Sequence, residues 1–300
     1  MLIVTHNSHE YVDRCLCSVL RECRSYNSRI IVVDNDSSDD TRHIIEKRHP
    51  EVTLIASKQN LGFARANNLG LAKAPASKWI LLLNPDTEML EGSLATLMNE
   101  GKKRTNAGVL GPMLLNEDGT IQKSCRNYPT ILGEALRIVF LDRLPPLSRY
   151  GLRHWHHKAF QKVDWLSGAC MLIPRKVADE TGLFDPTFFM YSEDMDFCYR
   201  VMKMGLDVLY VPSAKVVHIG GGSSRHYQLR MLCELFKSKY HFMNKYYGAR
   251  IMRFYRLLTV SGLVTRMTIW AVFGFFNQKA RQKASECWNV ILWHMRGGQI

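Results

Sequence analysis

Short apolar runs alternate with amphipathic stretches over the first third of the chain. The runs predict buried strands, and the stretches between them have the spacing of helices. The runs lie at residues 1–5, 29–34, 52–56 and 79–83, and the helical patterns at about 9–24, 39–49 and 62–73. Buried strands that alternate with helices predict a mainly parallel α/β sheet.

Polar clusters follow three of these predicted strands. They are Thr5-His6-Asn7, Asp34-Asn35-Asp36 and Asn84-Pro85-Asp86. Ligands of α/β sheets gather beyond the carboxyl ends of the strands. Because Asn, Asp and Ser are also favoured in turns, one such cluster would mean little. Three clusters at equivalent positions favour a pocket for a nucleotide diphosphate.

An acidic cluster lies further along the chain, between an aromatic run and a helical pattern. It consists of Glu193, Asp194 and Asp196. Carboxylates in a first helical turn face the positive end of the helix dipole, which we expect to keep them ionised. Asp196 precedes Arg200 by four residues and can pair with it, which leaves Glu193 and Asp194 to accept a proton. The alternative interpretation is an ordinary acidic helix start.

Composition narrows the class of protein. The chain has 300 residues, 46% of them hydrophobic, which suits one large domain or one domain with an appendage. Eight cysteines occur without a CxxC pair and without a preceding secretory signal. These features predict reduced thiols in a cytoplasmic protein. Pro145-Pro146 and residues 154–157 are interpreted as surface loop, because the histidine spacing suits zinc poorly.

Positive charge is concentrated in the last quarter of the chain. Residues 225–300 contain 13 Lys or Arg and two acids, whereas the whole chain has a net charge of +13. Such asymmetry indicates contact with an anionic partner, either a nucleic acid or a phospholipid surface. No nucleic-acid motif accompanies the charge, so we expect no nucleic-acid binding, although a nucleic-acid-binding protein remains an alternative hypothesis.

The basic region has a helical, partly apolar pattern. Aromatic residues alternate with cations between residues 239 and 256, as in helices at a membrane interface. Residues 257–276 form an apolar stretch of spanning length whose single charge is Arg266, a costly residue in lipid. Three arrangements stay open: interfacial helices, a true span, or helices packed on the domain or on a second subunit.

Seven motifs, in order, resemble family 2 glycosyltransferases, and most of all their bacterial rhamnosyltransferase-type branch. They are IVTHNS (3–8), VVDN (32–35), NLGFA (60–64), LLNPDT (82–87), LSGAC (166–170), FFMYSED (188–194) and VVHIGGGSS (216–224). The resemblance implies a Rossmann-like GT-A domain over residues 1–224, followed by a basic helical region at 225–300. It also implies an inverting, metal-dependent transfer of a sugar from a nucleotide diphosphate to a hydroxyl. A non-catalytic sugar-nucleotide-binding scaffold on the same fold is the further alternative.

The resemblance assigns a donor site. Asp34 would contact the nucleobase or ribose, with Thr5 and Asn7 nearby, and Asn60 and Arg65 would lie against the nucleotide. The favoured donor is dTDP-rhamnose, followed by UDP-hexoses and UDP-galactofuranose. Residues 220–224 are either a segment that closes over the diphosphate or a plain linker.

The resemblance also assigns the metal and the base. Asp86 would ligate Mg²⁺ or Mn²⁺, and His218 would be a second contact to the metal or phosphate. Asn84 stands where the family often has an acid, so it offers a carbonyl oxygen without charge. Asp194 would be the catalytic base, with Glu193 beside it.

The acceptor side is less specific in sequence. Trp165 has an aromatic face that can stack on a sugar, and Gly168, after Ser167, allows close approach of the backbone. A core position is the alternative for Trp165. The expected acceptor is a saccharide or a polyprenyl-diphosphate-linked saccharide. The expected location is the inner face of the cytoplasmic membrane, with an anionic membrane surface as partner and homo-oligomerisation possible through the C-terminal helices.

Overall fold

The computed structural model describes residues 1–138, 157–220, 228–275 and 277–297, which belong to two compact units. One unit comprises Met1–Arg126 and His156–Arg225, and the other comprises Asn127–Trp155 and His226–Ile300. The boundary expected at 224/225 keeps residues 127–155 with the sheet, whereas this division groups them with the C-terminal helices. Pro145-Pro146, residues 154–156 and residues 221–224 lie outside the described part of the chain.

The four strands predicted from the apolar runs are confirmed as the first four strands of the first unit, which has twelve strands among its described residues. The twelve are β1 (Leu2–Thr5), β2 (Ile31–Asp34), β3 (Thr53–Ala56), β4 (Trp79–Leu83), β5 (Thr87–Met89), β6 (Ala107–Leu115), β7 (Ile121–Gln122), β8 (Cys125–Arg126), β9 (Gln161–Lys162), β10 (Trp165–Leu166), β11 (Cys170–Pro174) and β12 (Asp207–His218). Its helices are α1 (Val12–Cys23), α2 (Thr41–Arg48), α3 (Phe63–Lys73), α4 (Ser93–Lys103), α6 (Arg175–Thr181) and α7 (Glu193–Lys203).

The main sheet is parallel in its first half and mixed in its second. Its principal order is β3-β2-β1-β4-β11-β6-β12-β5, while β8 and β10 form a separate small sheet. Strands β1 to β4 are mutually parallel, as the sequence pattern predicted. Strand β11 is antiparallel to β4 and β6, and β12 is parallel to β6 and antiparallel to β5.

Helices cover both faces of the inner parallel strands β1, β2 and β4, whose residues are almost all buried, whereas the edge strand β3 is partly exposed. Ile3 and Val32 belong to the buried cluster that includes the inner face of α1. On the opposite face, α3 approaches through Gly70, where an added Cβ would lie 3.2 Å from Val33 and 3.4 Å from Leu2. Side chains of alternating direction are therefore buried on either side of the sheet.

The strand directions bring distant segments to one edge of the sheet. Strands β1, β2 and β4 are parallel, so Thr5, Asp34 and Asn84, at or just after the strand ends, lie at the same edge of the sheet. Since β11 is antiparallel to β4, residues 167–169 precede it at that edge. Strand β12 is parallel to β6 and ends there at His218, directly opposite Thr87 of β5.

The second unit is helical. Its helices are α5 (Ile131–Ile138), α8 (Gln228–Gly274) and α9 (Gln278–Met295). Helix α8 is broken at Gly248, whose backbone is non-helical with φ 84°. The two long helices are joined by a 2.7 Å hydrogen bond between Tyr240 and His294 and by Arg256, which donates to the carbonyl of His294 at 2.7 Å.

Candidate active site

Asp34 is the buried carboxylate of the second predicted cluster. Its carboxylate accepts hydrogen bonds from Thr5 Oγ1 at 3.3 Å and from the backbone N–H of Ser37 at 3.2 Å. Arg42 of α2 also donates to it and is bonded in turn to the carbonyl of Ser57 at 2.9 Å. Arg42 was not indicated by any sequence motif. It places a cation beside Asp34, the carboxylate assigned to the nucleobase or ribose.

Asn7 shapes the loop next to Asp34. Its backbone is left-handed, with φ 50°, a conformation that Asn tolerates well. Its Oδ1 accepts from the N–H of Ser38 at 2.8 Å, and its own N–H donates to Ser37 Oγ at 3.0 Å. Asn7 therefore ties the end of β1 to the loop after β2.

Asn60 and Arg65 are both engaged within the protein. Asn60 Oδ1 accepts from Asn35 Nδ2 and from the N–H of Gly62, both at 3.0 Å. Arg65 Nε donates to the carbonyl of Pro186 at 3.0 Å. Both side chains are exposed, and each holds one loop of this edge against another.

Asn84 has a buried side-chain oxygen without a hydrogen-bond partner. Its N–H donates to the carbonyl of Ala169 at 2.9 Å, and its own carbonyl accepts from Thr87 Oγ1 at 2.6 Å. In contrast, its side-chain Oδ1 is buried and has no hydrogen-bond partner. A buried amide oxygen without a partner costs about 1–3 kcal/mol, so a ligand that donates to it or coordinates it would relieve the cost.

The side chains of Asp86 and His218 face each other and offer an oxygen and a nitrogen of the kinds that ligate metals. Their Oδ1 and Nε2 atoms are 3.3 Å apart. Gln122 donates through Nε2 to the carbonyl of His218 and to Asn116 Oδ1, both at 3.1 Å. Its Oε1 therefore accepts from His218 Nδ1 at 2.6 Å, which places the proton on Nδ1. With the proton on Nδ1, the Nε2 atom of His218 is the one that faces Asp86, and it is available as a metal ligand.

This arrangement fits the divalent cation that the resemblance implies. Two facing acceptors, a carboxylate oxygen and an imidazole nitrogen, are compatible either with a proton or with a cation between them. Asp86 and His218 would hold the cation, and oxygens of a diphosphate would supply further ligands.

A separate group, Asp13, Cys17 and His49, also has ligand atoms within 4.8 Å of one another. There, Asp13 is already paired with Arg48 and His49 at 2.9 Å.

Asp194 lies at the start of α7, held by two backbone donors. Its Oδ2 accepts from the N–H of Gly168 at 3.0 Å, and its Oδ1 accepts from the N–H of Met195 at 2.8 Å. Burial raises the pKa of Asp194, while these backbone donors and the charge of Arg126 act in the opposite direction. Each oxygen retains a lone pair, so the carboxylate can still accept a proton.

Glu193 differs from Asp194 in environment. It is 5% exposed, and its Oε2 is buried without a partner. Burial, followed by repulsion from Asp194, raises the pKa of Glu193 well above its usual range. The expectation that the helix dipole keeps both carboxylates ionised is therefore wrong for Glu193, because desolvation outweighs the dipole. The predicted pair of Asp196 and Arg200 is confirmed, with Nε 2.8 Å from Oδ2.

The neutral state of Glu193 predicts a pH-dependent stability difference. The folded chain retains the Glu193 proton above the ordinary pKa of 4.5, so wild-type stability falls as pH rises from there through the raised pKa. Glu193→Gln cannot titrate and escapes this loss. We expect the melting temperature of Glu193→Gln, relative to wild type, to increase between about pH 5 and pH 8. Calorimetry at both pH values checks this, with the exposed Glu51→Gln as control, and a constant difference would contradict it.

The three residues assigned to the acceptor side lie on the segment that contacts Asp194. Gly168 bonds to Asp194, and Ser167 donates its N–H to the carbonyl of Ser124 at 2.7 Å. Trp165, in β10, is half-buried and pairs across the small sheet with exposed Arg126. No sequence motif indicated Arg126. Its positive charge partly opposes the rise in the pKa of Asp194 that burial causes.

One short link connects Asp194 to the pair of Asp86 and His218. Gly168 donates to Asp194, and the next residue, Ala169, accepts from the N–H of Asn84. Asn84 is two residues from Asp86, which contacts His218. The segments that the sequence analysis assigned to the base and to the metal are therefore neighbours in space.

Gly62 makes a second close contact at this edge. Its φ is 78°, and an added Cβ would lie 2.4 Å from the carbonyl oxygen of Phe189. We expect Gly62→Ala to lower the free energy of unfolding by about 2–5 kcal/mol, from backbone strain and from this clash. Gly182→Ala is the matched control, because Gly182 has φ 69° with open space around it. Denaturant unfolding of both variants separates the two terms, and equal losses would show that the contact with Phe189 has no effect.

The chain is similar in sequence to known glycosyltransferases. Residues 1–196 match the model of glycosyl transferase family 2. Over 256 residues the chain is 30% identical to the N-acetylglucosaminyl-diphospho-decaprenol L-rhamnosyltransferase of Mycobacterium tuberculosis, covering 81% of this chain and 83% of that relative. It is 26% identical to rhamnosyltransferase WbbL of Escherichia coli K12, covering 76% of this chain and 85% of that relative.

A solved structure supports the fold. The mannosyltransferase PcManGT from Pyrobaculum calidifontis, in complex with GDP-Man and Mn²⁺, superposes with a TM-score of 0.60 at 15% identity. The match covers 97% of this chain and 84% of the mannosyltransferase. This chain belongs to glycosyl transferase family 2, has the GT-A fold, and is similar to the family's rhamnosyltransferases.

Proposed function

We propose that this chain is a metal-dependent, inverting glycosyltransferase of cell-envelope polysaccharide synthesis, with dTDP-rhamnose as its donor. The observation that carries the proposal is the link through Gly168 and Ala169, which bond to Asp194 and Asn84 respectively. It makes a carboxylate base the neighbour of a motif suited to a cation and a diphosphate. The relatives named as rhamnosyltransferases support the donor.

The donor diphosphate would bind at Asn84, Asp86 and His218. A bound Mg²⁺ or Mn²⁺ would supply Lewis-acid stabilisation of the charge that develops on the departing nucleotide. Asp86 and His218 offer the ligand atoms for it, and Gln122 keeps His218 in the tautomer that coordinates. Asn84 Oδ1 adds a neutral oxygen, so most of the negative charge around the cation would come from the nucleotide.

Asp194 would act as the general base toward the acceptor hydroxyl. Its raised pKa makes it a stronger base than an ordinary carboxylate, while the donors from Gly168 and Met195 hold its orientation. Direct attack by the hydroxyl inverts the anomeric centre and needs no covalent intermediate. Cys15, which lies beside Asn84, is an unsuitable nucleophile because burial raises the pKa of its thiol to about 12.

The acceptor would be a saccharide on a polyprenyl diphosphate. The Mycobacterium relative's name describes an acceptor of that class. Exposed Arg126 lies close enough to Asp194 for its charge to act on the pKa of that carboxylate. A lipid-linked acceptor would place the enzyme at the inner face of the cytoplasmic membrane.

Calorimetric titration of dTDP and of UDP, each with and without Mn²⁺, tests the donor assignment. The proposal expects metal-dependent binding with dTDP preferred. A preference for UDP would reassign the donor to a UDP-hexose or UDP-galactofuranose while leaving the transferase intact. Failure of both nucleotides to bind at any metal concentration would refute the diphosphate site.

A further inference from the structure

Helix α8 has an exposed apolar face after its break at Gly248. Seven large apolar side chains on this part of the chain are between 40% and 80% exposed. They are Ile251, Phe254, Leu257, Val264, Val272, Phe273 and Phe275. Most of them recur three or four residues apart or at multiples of that spacing, so they follow one face of the helix. We call this set the apolar stripe.

Two threonines near the stripe have hydroxyls that are bonded within the helix. Thr265 Oγ1 donates to the carbonyl of Ser261, and Thr268 Oγ1 donates to the carbonyl of Val264, both at 3.0 Å. Because these hydroxyls bond to their own helix, placing them near lipid leaves fewer polar groups unsatisfied. These two threonines are therefore compatible with an apolar environment.

The opposite face of the same helix is packed against protein. Tyr255, Thr259 and Leu263 are buried, and Tyr255 donates its hydroxyl to Glu134 of α5 at 3.3 Å. At Gly262, an added Cβ would lie 2.8 Å from Ile138 of α5. The helix has the length and composition of a span, yet a charged carboxylate lies on one side of it. This packing disfavours a single lipid-surrounded span and leaves the stripe as the face available to lipid.

Cations stand at both ends of the stripe. Arg250 and Arg253 are exposed at its beginning, and Lys279 and Arg281 are exposed just after its end. Arg281 is anchored there, because its Nε donates to the carbonyl of Gly274 at 2.6 Å. Apolar side chains flanked by cations match an anionic bilayer, whose headgroups attract Lys and Arg at about 1 kcal/mol each. A second copy of this chain would instead bring two strongly cationic regions together.

We propose that the apolar stripe of α8 docks in the plane of an anionic phospholipid bilayer, without crossing it. Side chains of the stripe enter the boundary between headgroups and acyl chains, and the flanking cations contact the headgroups. The inference rests on the proposed function only for its purpose, which is access to a lipid-linked acceptor. Vesicle binding requires no donor sugar, so failure of this inference and failure of the transferase are distinguishable.

Vesicle flotation of the full chain tests the docking surface. We expect binding to vesicles of phosphatidylcholine mixed with phosphatidylglycerol, and much weaker binding to phosphatidylcholine alone. The double variant Phe254→Asp/Leu257→Asp should bind at least about tenfold more weakly, because two apolar anchors are lost and two repulsive charges gained. Met204→Asp is the control, since Met204 is an exposed apolar residue of the sheet unit and the variant should bind like wild type.

Two further measurements separate the alternatives. Alkaline carbonate should release the bound wild-type chain from vesicles, whereas retention would indicate a span and overturn in-plane docking. Light scattering of the free chain reports its oligomeric state. A dimer that Phe254→Asp/Leu257→Asp converts to monomer, with vesicle binding unchanged, would show that a second copy covers the stripe. Unchanged vesicle binding by the double variant would overturn the proposal in either case.

Discussion

Replacing Asp194 with Asn should reduce kcat by about 10²- to 10⁴-fold, the range expected when a general base is removed. Asn has nearly the same shape but cannot take the proton of the acceptor hydroxyl. One of the two backbone donors, Gly168 or Met195, would lose its acceptor, so the variant's melting temperature must be measured alongside its activity. Initial rates of sugar transfer at saturating donor give the result.

Glu193→Gln is the matched control for this experiment. Glu193 is the adjacent carboxyl group, and burial and repulsion from Asp194 raise its pKa well above the usual range, which favours its neutral form. Gln reproduces that neutral state, so we expect the control to retain most of the activity and the same loss of activity toward acid. If Asp194→Asn transferred sugar as fast as wild type while Glu193→Gln did not, the two roles would have to be exchanged.

Replacing Asp86 with Ala should remove the dependence of nucleotide binding on metal. We expect at least about a tenfold loss of affinity for nucleotide in the presence of Mn²⁺, little change in its absence, and about a hundredfold loss of kcat. The reason is that Asp86 is the carboxylate of the metal pair, and His218 alone is a neutral ligand. Calorimetric titration of nucleotide with and without Mn²⁺ measures both affinities.

Gln122→Leu tests the same site without touching a ligand atom. It removes the acceptor that fixes the proton on His218 Nδ1, so apparent metal affinity should fall by about 10- to 100-fold. Asp86 remains, so metal-dependent binding of nucleotide should weaken without disappearing, unlike in Asp86→Ala. Metal-independent binding of nucleotide by the wild-type chain would contradict the metal assignment for both variants.

The first half of the sheet could be predicted because its inner strands β1, β2 and β4 are almost continuous apolar runs. Polar residues that begin where an apolar run stops, such as Asp34 and Asn84, then mark the edge at which ligands bind. Gln122 and Arg42 carried no such signal, because their importance comes from partners far away in sequence. The partner of Gln122, His218, is 96 residues away, and only the pairing of the strands brings the two together.

The pKa of Glu193 likewise could not be predicted from the sequence pattern. The position of Glu193 in a first helical turn was evident, but its burial depends on the tertiary packing around α7. In the C-terminal region, composition left a span, interfacial helices and packed helices open. Helix α5, which was not predicted, packs on one face of α8 through Glu134 and Ile138 and leaves the other exposed.

Analysis of the transfer product tests the central claim most directly. The purified chain, Mn²⁺ and dTDP-rhamnose would be incubated with a polyprenyl-diphosphate-linked saccharide, and the anomeric configuration of the product determined by NMR. The account predicts a rhamnosylated product whose anomeric configuration is opposite to that of the donor, and no product with Asp194→Asn. A product that retains the donor configuration would contradict direct displacement with Asp194 as base, and absence of transfer from both dTDP- and UDP-sugars would contradict the proposed activity.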